Sequence, residues 1–128
     1  MNKATDILNR VDVEIWDRET GIDLYDRDPD NIDMAITVYE RSDSPNYYTM
    51  PIDLDTAMEM TGADQDTMFG FSEWNSALYF LTQVEAPREV RAFVKASIIV
   101  MFPELELEDV NLALVKELNE LAKLEVQK

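Results

Sequence analysis

The spacing of hydrophobic residues changes once along this chain. Up to Pro51 they alternate in twos, and from Asp53 onward they recur in threes and fours. Val11, Val13 and Ile15 alternate with Asp12, Glu14 and Trp16, which is the period of a strand with one buried face. A short N-terminal helix is expected ahead of it. The competing reading turns Ala4 to Trp16 into a single helix, because Leu8, Val11 and Ile15 also suit a helical face, and leads to an all-α chain. Arg18-Glu19-Thr20-Gly21 reads as a turn, after which Ile22 and Leu24 resume alternation. A second hairpin follows. Ile32, Met34, Ile36 and Val38 alternate, Asp43-Ser44-Pro45-Asn46 turns, and Tyr47 to Met50 returns until Pro51 stops it.

The second half carries helical periods. Asp53 is placed to cap a helix bearing Leu54, Ala57 and Met58, with Gly62 at the left-handed position that ends it. Ser72 is expected to cap the next, with Trp74, Leu78, Leu81 and Val84 facing inward. Pro87 fits the first residue of a third helix, whose inward face is Val90, Phe93, Val94, Ile98 and Met101 and which Pro103 ends. A last helix spans residues 107–126, with a stripe of Leu107, Val110, Leu114, Leu118, Leu121 and Leu124. Leu112 and Val115 lie off that stripe, so this helix is expected to be covered on two sides or paired with another chain. The expected fold is α+β: one domain over 1–128, with a small antiparallel sheet in residues 1–52 packed by a helical half in 53–128.

Composition narrows the chemistry. Of the 128 residues 46% are hydrophobic, enough to close one core. Histidine and cysteine are both absent, which removes thiol nucleophiles, disulfides, imidazole bases and the usual ligands of zinc, copper and iron–sulfur sites. No secretory signal is visible and the apolar run from Ile98 to Phe102 is far too short to span a bilayer, so a cytoplasmic location is expected.

Charge changes the picture more. The chain has 27 acidic and 11 basic residues, for a net −16. Residues 1–66 hold 17 acids and 5 bases, while residues 67–128 hold 10 and 6. Such a surface repels nucleic acid and anionic membrane and attracts basic partners. Gathering the acids in one half costs stability by self-repulsion, which solubility alone does not require.

Motif-like stretches are few. Asp26, Asp28 and Asp30 have the opening spacing of a calcium loop, but Asn31 replaces the turn glycine and Thr37 stands where a bidentate glutamate belongs. Residues 54–68 resemble two short helices about a turn, yet Asp64 and Asp66 present the wrong sign to phosphate. With only 3 glycines and no glycine-rich phosphate loop, no cofactor, no metal and no enzymatic activity are expected. Arg88, Arg91 and Lys95 share one helical face. The simplest expectation has them paired with Glu85, Glu89 or the acidic half. Tyr47, Tyr48 and several methionines supply core, with some subset free to form an adaptable binding patch.

The functional expectation is a non-enzymatic acidic interaction protein, in the manner of a phage-type inhibitor that mimics nucleic-acid charge and occupies the basic groove of a DNA- or RNA-binding protein. Side chains on one strand face recur about every 6.6 Å, close enough to imitate a ladder of phosphates. The expected partner-binding residues are Asp12, Glu14, Asp17, Glu19, Asp23, Asp26, Asp28, Asp30 and Asp33. Two alternatives share the sequence: an assembly subunit, for example of a virus particle, forming a homo-oligomer through residues 107–126, and an antitoxin or immunity protein.

Overall fold

The computed structural model describes residues 3–18, 32–41 and 46–126, with side chains described as far as residue 120. Helix α1 (Lys3–Arg10) buries Ala4, Ile7 and Leu8, a spacing that puts all three on one face. Asp6 in its first turn and Arg10 in its last complement the helix dipole. The chain passes directly into strand β1 (Val11–Asp17), so the short-helix-then-strand reading holds and the single helix from Ala4 to Trp16 does not.

Three more strands complete the sheet: β2 (Met34–Glu40), β3 (Tyr47–Ile52) and β4 (Ser72–Ser76). All pairings are antiparallel in the order β3-β2-β1-β4. Register places Val11, Val13, Ile15 and Asp17 on one face of β1, beside Met34, Ile36 and Val38 of β2. The aliphatic members of that set join one hydrophobic cluster with Phe80, Leu81, Val94, Ile98, Val110 and Leu114 from the helices. The expected α+β class is what the chain adopts.

Two strand boundaries differ from expectation. Pro51 does not end β3, which continues to Ile52. As an edge strand β3 has one side without a ladder partner, and a residue lacking an N–H is tolerated there. Residues 72–76 are a strand, not the first turn of a helix. Ser72, Trp74 and Ser76 alternate with Glu73 and Asn75, and the free edge of β1 captures them. Helix α4 (Ala77–Gln83) therefore starts later, capped by Ser76, whose Oγ accepts from Tyr79 N–H at 3.1 Å. Leu78 and Leu81 are buried as expected, while Trp74 is turned outward.

The helices that start after Asp53 and Pro87 follow their expected periods, and the last helix follows its own only in part. Helix α2 (Leu54–Thr61) ends at Gly62, whose φ of 74° is the left-handed conformation its position called for. A single turn, α3 (Gln65–Met68), begins at Asp64, whose Oδ1 accepts from the Thr67 N–H at 2.8 Å and the Thr67 hydroxyl at 2.6 Å. Helix α5 (Arg88–Met101) starts just after Pro87 and buries Val90, Val94, Ser97 and Ile98. Helix α6 (Leu107–Val126) buries Val110, Ala113 and Leu114, but Leu107 and Leu118 of its expected inner stripe are exposed. The core contacts its N-terminal half on one flank only, which leaves Leu112 and Val115 at 59% and 54% exposure. No described helix is long and apolar enough to cross a membrane.

Candidate interaction face

Among the described residues, the second face of the sheet contributes nothing to the hydrophobic cluster. Pairing arranges it in three rows across the strands. Ser76, Asp12, Tyr39 and Tyr47 form one row; Trp74, Glu14, Thr37 and Thr49 the next; Ser72, Trp16, Ala35 and Pro51 the last. Four of these twelve side chains are aromatic. The period of two that buries Val13 and Ile15 forces Trp16 to this side, and the same period in β4 brings Trp74 with it.

The centre of the face is held rigid by hydrogen bonds. Trp16 donates its indole N–H to the Thr37 hydroxyl at 2.7 Å, and the Thr37 and Thr49 hydroxyls lie 2.9 Å apart across β2 and β3. Asp12 is only 4% exposed. Arg41 covers it with a two-pronged contact, Nη2 to Oδ1 at 2.6 Å and Nε to Oδ2 at 3.2 Å. That hydrogen bond, followed by the charge of Asp12, raises the Arg41 pKa. Beside them the Tyr39 phenol is also raised, first by burial and then by Asp12 and Glu14, with Arg41 opposing. Its hydroxyl therefore remains a neutral donor.

At the rim the face is open. Trp74 is 60% and Tyr47 66% exposed, on the two outer strands, with Glu14 in the row of Trp74. Glu14 accepts from the Ser72 hydroxyl at 2.6 Å, which orients the carboxylate without neutralising it. Flat aromatic surfaces near an oriented carboxylate suit arginine and lysine side chains, which stack on the ring and pair with the acid.

The nine expected acidic residues divide sharply. Asp12 and Glu14 do share the outward face of β1, but Asp12 already has its counterion in Arg41. Asp17 lies on the other face, fully buried, and accepts the Gly70 N–H at 2.9 Å. Asp33 pairs with Arg18 at 3.6 Å, both half-exposed. Glu19, Asp23, Asp26, Asp28 and Asp30 lie outside the described residues, as do the turns expected at 18–21 and 43–46 apart from Arg18 and Asn46. Four aromatic residues of this face were passed over by the count of charges, of which Tyr47 and Trp74 are exposed and Trp16 and Tyr39 half-buried. Alternation through Ser72, Trp74 and Ser76 was compatible with this place for Trp74 but did not decide it against a helical face. Compared with known proteins, the chain matches no family model, no curated protein and no solved structure.

Proposed function

We propose that this protein is a non-enzymatic acidic interaction protein whose outward sheet face docks on the basic surface of a nucleic-acid-binding protein. The observation that carries the reading is the pair of large exposed aromatics, Trp74 and Tyr47, on the sheet face that lies outside the hydrophobic cluster of the described residues. Tryptophan and tyrosine dominate binding energy at protein interfaces. A net charge of −16 selects a cationic partner and speeds the encounter. In this form, charge mimicry is a mixed aromatic and acidic surface more than a bare ladder of carboxylates. An inhibitor of this type makes its partner lose its hold on DNA or RNA.

The test is capture of partners from a host lysate at low and high salt, with identification by mass spectrometry and the double variant Trp74→Ala/Tyr47→Ala alongside. A basic nucleic-acid-binding protein retained at low salt, lost at high salt, and weakened about thirtyfold or more by the double variant is the expected result. Capture that is indifferent to both salt and the two aromatics would sink the proposal.

A second reading has its own observation. Leu112, Val115 and Leu118 are exposed on one helix, α6, which supports an assembly subunit that associates through residues 107–126. Such association depends on apolar burial and hardly on salt, and sedimentation of the wild type beside Val115→Asp separates it from the first reading.

A further inference from the structure

A groove of about 580 Å³ runs between α5 and the start of α6, well within the size range of small-molecule sites. Its composition is unusual for this chain. Arg88, Arg91 and Lys95 line it, three of the 11 basic residues of a protein with net charge −16. The expected pairing with Glu85, Glu89 or the acidic half does not form: among the described residues none of the three makes an ion pair. The rest of the lining is mostly apolar, with Ala92, Ala96 and Ile99 from α5 and Leu107 from α6, beside one amide, Asn111.

Two of the cations are positioned and partly desolvated. Arg91 donates from Nη2 to the Leu81 carbonyl at 3.3 Å, which restrains its head. Lys95 stands one turn further along α5, and its pKa is lowered, chiefly by burial and then by the Arg91 charge. Like charges held together without a counterion, at the edge of an apolar trough, form a receptor for an anion that carries hydrocarbon. A hydrophilic anion alone would leave the trough wet. An uncharged hydrocarbon would leave the cations uncompensated.

We propose that the α5–α6 groove binds a small amphipathic anion, its carboxylate or phosphate head held by Arg88, Arg91 and Lys95 and its hydrocarbon body lying on Ala92, Ala96, Ile99 and Leu107. The site is separate from the outward sheet face, so it stands or falls independently of the function proposed above.

The experiment titrates the isotope-labelled full chain with octanoate, octyl phosphate and inorganic phosphate, followed by amide chemical shifts. Saturable shifts confined to residues 86–111, with either octyl compound at least about tenfold tighter than inorganic phosphate, support the site. Whichever octyl compound binds more tightly identifies the head group. The double variant Arg91→Gln/Lys95→Met should weaken that binding about tenfold or more while circular dichroism and melting confirm the fold. Binding should also take up protons at alkaline pH, because an anion beside Lys95 raises a pKa that burial has lowered. Three results overturn the proposal: no saturable shift, inorganic phosphate binding as tightly as the octyl compounds, or groove resonances that move with protein concentration alone, which would mean that a second copy fills the groove.

Discussion

Asp12 and Asp17 sit at the two ends of one strand, and their carboxylates serve opposite faces. Asp17 is buried on the core side of β1 and receives the Gly70 N–H. Asp17→Ala should lower stability by about 1–3 kcal/mol, since a partly buried hydrogen bond to a charged acceptor is lost; chemical denaturation measures this. Asp12 needs Arg41. Arg41→Ala should lower the melting temperature, and adding Asp12→Asn should recover part of the loss, because the harm comes from an uncompensated buried carboxylate. Two lowered pKa values both make stability rise with pH, one by favouring a charge and the other by opposing one. The Asp64 pKa is lowered, first by the Thr67 hydroxyl and then by the Thr67 N–H. That contribution is complete above the unfolded-state pKa and disappears as pH falls through the folded one. Lys95, lowered by burial and Arg91, disfavours the fold while protonated, and the penalty is relieved as pH rises through its folded pKa. Lys95→Met should therefore raise the melting temperature at neutral pH, by an amount that shrinks toward alkaline pH.

At the scale of elements, legibility followed how many rules agreed. Helix α2 was readable because Asp53, the apolar face and Gly62 pointed to one pair of ends. Gly62→Ala meets no steric obstacle, so its expected cost of about 1 kcal/mol isolates the left-handed backbone itself. Helix α5 was readable from Pro87, its long apolar face and Pro103. Ile98→Ala, at the centre of that face, should cost about 2–5 kcal/mol by equilibrium unfolding. Strand β4 was not readable. Ser72 and Ser76 are both capable caps, and Trp74 fits a helical face through Leu78 and Leu81 as well as it fits alternation. The deciding partner, the free edge of β1, lies some 58 residues away. Tertiary pairing overrode a local pattern that allowed two answers. The same limit applies to the interaction face. Charge density could be counted along the chain, but which acids already possess a counterion depends on where Arg41 and Arg18 fold.

At the scale of the whole molecule, the opposition is between a closed core on one side of the sheet and a face made of rings and carboxylates on the other. The net charge of −16 works against compactness, so raising salt from low to physiological should raise the melting temperature by screening self-repulsion. The chain has 2 tryptophans, and register places both on the outward face. One indole is hydrogen-bonded to Thr37 and half-sheltered, while the other stands mostly in water. The molecule thus carries its own optical reporter for that face and for no other. A partner covering it should shift the native indole emission to the blue or quench it, whereas an anion entering between α5 and α6 should leave the spectrum where it was.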